Sequence, residues 1–145
     1  MIKIKIAIVT LLFLFCWTET SFSQVVVIAH KSVPIDKIKK SELLDFYTGD
    51  IKKWRDDQPV VVFDLKTRGE VKETFYKFLG KRSSRMKSIW LKKMLSGEGD
   101  PPVSMKSEEE LLKKVAATIG AIGFVGQSKV SDDVKTLLII EKDKK

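Results

Sequence analysis

A short polar turn carries the residue types best suited to bind a ligand. Lys66, Thr67, Arg68 and Gly69 follow the apolar run Val60–Phe63 and precede a helical segment. Two cations and a hydroxyl attract and hydrogen-bond an oxyanion, and the N–H groups at a helix start add donors and a positive dipole. These four residues form our candidate oxyanion site at a helix N-terminus.

The same turn also fits an ordinary helix start. Thr67 and Glu70 have the spacing of a capping box, in which each side chain accepts a hydrogen bond from the other residue's N–H. Such a box would occupy donors that an oxyanion needs and place a carboxylate beside it. At an effective dielectric constant of about 20, like charges about 4 Å apart repel by about 4 kcal/mol. A helix start that excludes ligand is therefore the competing interpretation.

No other cluster has the composition of a catalytic or metal site. Beyond Ser23 there is one histidine, His30, and no cysteine. We find no activated nucleophile, zinc-ligand spacing, phosphate-binding loop or dinucleotide fingerprint. Asp56–Asp57 fits a solvated turn, and Glu108–Glu110 fits the first turn of a helix, where the dipole favours acids. We predict that the protein is not an enzyme and uses no metal or cofactor.

The N-terminal residues have the pattern of an export signal. The basic start Met1–Lys5 precedes the apolar run Ile6–Trp17, and the small residues Ser21 and Ser23 favour cleavage directly after Ser23. We therefore predict a signal peptide over residues 1–23 and a periplasmic or secreted bacterial protein.

Two alternatives to a cleaved signal peptide remain. An uncleaved leader would act as a membrane anchor, although the apolar run is shorter than the roughly 20 residues of a membrane span. A lipoprotein would carry its lipid on Cys16, but Phe15 is large for the position before a lipidated cysteine.

The remaining chain, residues 24–145, has the size of one domain. Its 25 basic and 18 acidic residues give a net charge of +7. Without cysteine it has no disulfide, so its stability must come from burial of apolar side chains. The lysines are dispersed among acids and form no basic block with aromatic residues, so we predict no nucleic-acid partner.

Short apolar, β-branched runs alternate with helical segments. We predict strands at Val25–Ala29, Val60–Phe63, Ala121–Val125 and Val134–Ile140. We predict helices at Ser41–Tyr47 before Gly49, through Val71, Phe75 and Leu79 up to Gly80, at Ser83–Leu95, and at Ser107–Ala117 with a Ser107-x-x-Glu110 capping box, and a loop at Ser96–Val103. This alternation predicts an α/β domain with a mainly parallel sheet and helices on both faces.

Several segments in a fixed order resemble a known family. They are SELLDFYTGDIKKWRDDQPVVV from Ser41, FYKFLG from Phe75, SGEGDPP after the helix with Trp90, and SEEELLKKVAATIGAIGFV from Ser107. Their order resembles phosphate-type substrate-binding proteins of ABC transporters, in particular the small secreted PBP-like domain proteins. The resemblance covers nearly all of Val25–Val125. It implies a single Rossmann-like lobe of the periplasmic-binding-protein type 2 kind, whereas full-length members clamp phosphate between two lobes.

The phosphate loop of full-length members is not matched residue for residue. In the family it has the pattern arginine-x-aspartate-glycine-serine-glycine-threonine, and it corresponds here to Leu65–Val71. None of the seven positions keeps the family residue, and Gly69 and Val71 replace the serine and threonine hydroxyls. Lys66 and Arg68 still supply positive charge.

Two functions follow from this resemblance. The first is an exported, non-enzymatic solute receptor that binds phosphate or a related oxyanion through Lys66–Gly69. The second is a protein-interaction module, a single lobe that docks a membrane transporter or sensor protein and has lost ligand binding. A third, minor interpretation is a basic protein that associates with anionic envelope polymers, and it predicts binding that disappears with salt.

Overall fold

The structure of the protein, a computed structural model, describes residues 24–142. The predicted signal peptide and its cleavage after Ser23 lie outside the described residues. Within residues 24–142, no helix is both long enough and apolar enough to cross a membrane.

Five strands form one open sheet. They are β1 (Val25–Ala29), β2 (Val61–Leu65), β3 (Val103–Met105), β4 (Ala121–Gly126) and β5 (Lys135–Ile140). Their order across the sheet is β3-β2-β4-β1-β5. β2 is parallel to β3 and β4, and β1 is antiparallel to β4 and β5. Four strands therefore point the same way and β1 alone opposes them, which confirms the predicted mainly parallel sheet.

The position of β1 explains its composition. All five of its residues are buried, because it lies inside the sheet between β4 and β5. An interior strand covered on both faces needs apolar side chains in both directions, and the continuous run of valines and isoleucine provides them.

Strand β3 was not predicted. The sequence predicts a loop over Ser96–Val103, and this prediction is wrong at Val103, which begins β3. Three residues after two prolines give no usable periodicity. They become a strand through pairing with β2, in which Phe63 lies opposite Val103 and Leu65 opposite Met105.

Four α-helices flank the sheet, as predicted. They are α1 (Lys40–Thr48), α2 (Glu70–Leu79), α3 (Ser83–Leu95) and α4 (Glu108–Ala117), and a 3₁₀ turn covers Gln127–Lys129. α1 and α2 end at Gly49 and Gly80, both in the left-handed conformation with φ of 74°. Glycine adopts this conformation without a Cβ clash, so the predicted helix ends are confirmed.

Neighbouring residues of β4 show which helices cover each face. Phe124 stacks on Phe75 of α2 with ring centroids 3.9 Å apart, and Tyr47 of α1 contacts the Phe75 ring edge-on. A Cβ on the preceding residue, Gly123, would lie 2.7 Å from Leu111 of α4. Because successive strand residues face opposite sides, α1 and α2 cover one face and α4 covers the other.

Gly120, directly before β4, joins several segments at one end of the sheet. Its carbonyl oxygen accepts hydrogen bonds from the Trp54 indole at 2.9 Å and from the Val61 N–H at 3.1 Å. Its N–H donates to the Ser32 hydroxyl at 3.2 Å. Its φ is 76°, and a Cβ there would lie 2.3 Å from the Pro59 carbonyl oxygen. Only glycine fits this position without displacing the backbone of another segment.

We predict that Gly120→Ala lowers the free energy of unfolding by about 2–4 kcal/mol. The left-handed conformation costs a residue with a Cβ about 1 kcal/mol, and the clash with Pro59 adds about 1–3 kcal/mol. Gly80→Ala is the matched control, because Gly80 has φ of 74° but open space around a Cβ. Urea denaturation of both variants tests this prediction. Equal losses would show that the close approach to Pro59 is unimportant.

Candidate functional site

Lys66–Gly69 form an exposed loop at the carboxyl end of β2, where α2 begins. The Lys66 N–H donates to the Met105 carbonyl at 2.8 Å, so the loop starts where the pairing of β2 with β3 ends. In open sheets of this kind, ligands bind outside the carboxyl ends of parallel strands. The four candidate residues thus lie at a suitable edge of the sheet.

The predicted capping box at this loop is wrong. The residue before α2 is Gly69, with φ of −172° and ψ of 176°, and no side chain caps the helix. A box with Thr67 at its start would need the helix to begin at Arg68. Instead the chain stays extended to Gly69, and the Glu70 carboxylate pairs with the Lys142 ammonium group. The backbone N–H groups in the first turn of α2 are therefore not occupied by the side chains of Thr67 or Glu70.

The other predicted cap, at α4, is present. The Ser107 hydroxyl accepts a hydrogen bond from the Glu110 N–H at 3.1 Å. In a standard capping box the Glu110 carboxylate would accept from the Ser107 N–H. Here it accepts from the Lys106 N–H, one residue earlier, at 3.0 Å. Glu108, predicted as a first-turn acid, also accepts from the Gly126 N–H at 2.6 Å and so ties α4 to the end of β4.

A buried polar cluster beneath the loop was missed by the sequence analysis. Lys72 is only 8% exposed, and its ammonium group donates to the Leu65 carbonyl at 2.6 Å and lies 3.5 Å from the Asp64 carboxylate. The Tyr76 hydroxyl donates to the same carboxylate at 2.6 Å. Lys72 and Tyr76 are four residues apart on α2, so both reach the end of β2.

This cluster fixes the loop without supplying charge to it. The Lys72 cation is matched by Asp64 and bonded to backbone, so an anion at the loop must rely on Lys66 and Arg68 for positive charge. The only sequence signal for the cluster was the i, i+4 spacing of Lys72 and Tyr76. A chain so rich in lysine offers many such pairs.

The lone histidine lies at the other end of the sheet. His30 follows β1, and its Nδ1 is 2.8 Å from the Ser32 hydroxyl and accepts from the Ser32 N–H at 3.0 Å. The Ser32 hydroxyl also binds the Gly120 N–H, so this serine joins two backbone segments. Within residues 24–142, no three His, Cys, Asp or Glu side chains are grouped to hold a metal ion.

The acidic pair near Trp54 forms the turn that was predicted. Asp56 and Asp57 are both exposed, and the Asp56 carboxylate accepts from the Gln58 N–H at 3.1 Å. Asp57 has φ of 66°, a conformation that aspartate tolerates better than most residues.

Both tyrosines of the chain have a raised pKa. Burial raises the pKa of Tyr47, whose hydroxyl donates to the Phe63 carbonyl at 2.8 Å, and the Asp64 carboxylate adds to the effect. Burial also raises the pKa of Tyr76 well above its usual range, followed by the charge of Asp64 and the hydrogen bond to it. Ionising either side chain would bury a second negative charge near Asp64.

We therefore predict that stability falls as pH rises above about 10. The unfolded chain loses its tyrosine protons near pH 10, whereas the folded protein keeps them, so the folded state binds more protons and is disfavoured at higher pH. Each tyrosine contributes a slope of about 1.4 kcal/mol per pH unit. Tyr76→Phe is expected to remove one of these contributions. The difference between the slopes of the variant and the unchanged protein then gives the contribution of Tyr76 apart from the titration of lysines.

An alkaline titration followed by tyrosinate absorbance and circular dichroism tests this prediction. Tyrosinate should appear only as the secondary structure is lost. Ionisation of a tyrosine near pH 10 in the folded protein would contradict it.

Solved structures with a similar fold are solute-binding proteins. A proposed phosphate ABC transporter substrate-binding protein from Clostridium perfringens, with bound phosphate, matches with a TM-score of 0.67 and 20% identity over 80% of this chain and 44% of its own. An ABC-type phosphate transport receptor from Vibrio cholerae matches with a TM-score of 0.65 and 17% identity, and the match covers 80% of this chain and 46% of the receptor. PstS from Borrelia burgdorferi matches with a TM-score of 0.60 and 16% identity, and the match covers 81% of this chain and 48% of PstS.

The chain thus spans less than half the length of each of these proteins. No family model matches the sequence, and no curated protein does. At these identities the likeness shows the fold alone. It agrees with the resemblance found in the sequence and confirms the fold that it implied, a single α/β lobe of the substrate-binding-protein kind.

Proposed function

We propose that this chain is an exported, non-enzymatic solute-binding domain whose loop Lys66–Gly69 holds phosphate or a related oxyanion. The observation that carries the proposal is the start of α2. It follows a parallel strand, lies in an exposed loop with two cations, and has no side-chain cap. Such a helix start offers N–H donors and a positive dipole to an anion.

The Glu70 carboxylate and the predicted capping box, which would oppose anion binding at this loop, are a smaller obstacle than the sequence indicates. The Glu70 carboxylate is paired with Lys142, so part of its charge is balanced. Gly69 has open space on the side where a Cβ would point, which lets a ligand approach the backbone. The Thr67 side chain is exposed and is not used as a cap, so its hydroxyl can serve a ligand.

The solved structures support phosphate as the first ligand to test. Two of those compared above are named for phosphate transport, and one of these two holds phosphate. Because this chain spans less than half of each, we expect it to offer only part of such a site and to bind more weakly. An ABC transporter in the membrane is the corresponding partner, which requires the exported location predicted from residues 1–23.

We predict that phosphate raises the melting temperature of the purified protein through this loop. Saturation to 100 times the dissociation constant would add about 2.7 kcal/mol to the free energy of unfolding. The double variant Lys66→Ala/Arg68→Ala should lose most of the shift. The matched control Lys31→Ala/Lys53→Ala removes two exposed lysines from the opposite end of the sheet and should keep it.

A thermal-shift panel of phosphate, sulfate and arsenate at constant ionic strength provides the measurement. The proposal fails if no oxyanion in the panel moves the melting temperature. It also fails if the control variant loses as much of the shift as the loop variant, since the effect would then be general charge attraction.

A second candidate function, a module that docks a transporter or sensor protein, is favoured by helix α3. This helix buries only Met86 and Trp90. On its remaining surface Leu91, Met94 and Leu95 are 55%, 44% and 81% exposed. Contiguous exposed apolar side chains of this kind mark protein-interaction surfaces.

The docking function predicts that a pull-down from envelope extract captures a membrane protein through α3. The double variant Leu91→Asp/Leu95→Asp should lose that partner, because charged side chains resist desolvation in an apolar interface. Both positions are exposed, so the fold should be unaffected. Equal capture by the variant and the unchanged protein would contradict the docking function.

A further inference from the structure

A cleft of about 510 Å³ opens beside the candidate loop, between the part of α2 from Glu73 onward and the start of α3. Four cations line it, Arg68, Lys77, Lys81 and Arg82, against one acid, Glu73. Arg68 therefore belongs both to the loop and to the cleft, whereas Lys66 and Thr67 do not line the cleft. No sequence pattern indicates this group, because its members come from the loop before α2, from α2 itself and from the turn after it.

We propose that this cleft binds a compact polyanion, a small molecule that carries two or more phosphate or carboxylate groups. The proposal rests in part on the proposed function, since Arg68 is shared, and it names the class of ligand that the site would take. A single phosphate bound at the loop would leave the cleft unused. A larger anion could extend from Arg68 along the cleft to Arg82.

Three of the four cations in the cleft, Arg68, Lys81 and Arg82, are available to a ligand. Within residues 24–142, Arg68, Lys81 and Arg82 form no ion pair with a carboxylate. Lys81 is half-buried, whereas Arg68 and Arg82 are exposed. Like charges held close together repel, and a bound polyanion removes that repulsion while gaining charge-assisted hydrogen bonds.

The turn between α2 and α3 holds these cations in place. The Gly80 N–H donates to the Lys77 carbonyl at 3.0 Å, and the Lys81 N–H donates to the Tyr76 carbonyl at 3.1 Å. Tyr76 is itself fixed by its bond to Asp64. The backbone under Lys81 and Arg82 is therefore ordered before ligand arrives, which lowers the entropy cost of binding.

Neutral donors complete the lining. Ser83 and Ser84 line the cleft and occupy the first turn of α3, which has no side-chain cap and no acidic residue. In contrast, the first turns of α2 and α4 contain two and three glutamates. A volume near 510 Å³ lies within the usual range of small-molecule sites, roughly 300–1,000 Å³, and exceeds the need of one phosphate.

Calorimetric titration of the purified protein with orthophosphate, tripolyphosphate and citrate at equal ionic strength tests the proposal. We expect tripolyphosphate or citrate to bind at least roughly tenfold more tightly than orthophosphate, because each can contact several cations at once. The double variant Lys81→Gln/Arg82→Gln should reduce that affinity by roughly tenfold or more. It should leave the orthophosphate response of the loop unchanged. Lys31→Gln/Lys53→Gln is the charge-matched control and should bind as the unchanged protein does.

The outcomes separate this inference from the proposed function. If neither polyanion exceeds orthophosphate, or if the control loses affinity as much as the cleft variant, the inference is overturned while orthophosphate binding at the loop can stand. If orthophosphate, sulfate and arsenate all have no effect but tripolyphosphate binds and its binding is lost in the cleft variant, the inference stands and the loop proposal falls. Circular dichroism of each variant confirms that the fold is retained.

Discussion

The backbone of Gly120 is the contact on which the arrangement of the sheet depends. One residue binds the segment after β1, the Trp54 indole and the start of β2, and it does so at a distance that excludes a side chain. These bonds fix where β2 begins relative to β4. The candidate loop lies at the far end of β2, so its position relative to the neighbouring strands is set five residues away, at Val61.

At that far end, a buried polar cluster lies beneath the exposed loop. Asp64, Lys72 and Tyr76 satisfy one another and hold α2 against the end of β2. Within residues 24–142, the side chains of Lys66 and Arg68 take no part in this cluster and stay exposed. The buried cluster thus gives the end of β2 and the start of α2 a fixed arrangement.

Features governed by local sequence could be predicted. The continuous apolar run of β1, the bounds Ser83–Leu95 of α3 and the helix ends at Gly49 and Gly80 all follow from residues close in the chain. Features governed by distant partners could not. β2 extends to Leu65 because it pairs with β3, which moves the start of α2 past Thr67 and abolishes the expected cap. Likewise, the partners of the buried Lys72 are Asp64 and the Leu65 carbonyl at the end of β2, and the basic cleft forms where α2 and α3 meet at Gly80.

The sheet order has a consequence for how the chain is made. β1 is the first described element to be synthesised, yet it pairs only with β4 and β5, which begin at Ala121 and Lys135. Until those strands exist, five adjacent apolar residues have two unpaired edges, a form prone to pairing with other chains. Such long-range pairing also slows folding. A strand that is fully buried in the finished molecule is therefore a segment at which unfinished chains are exposed to aggregation.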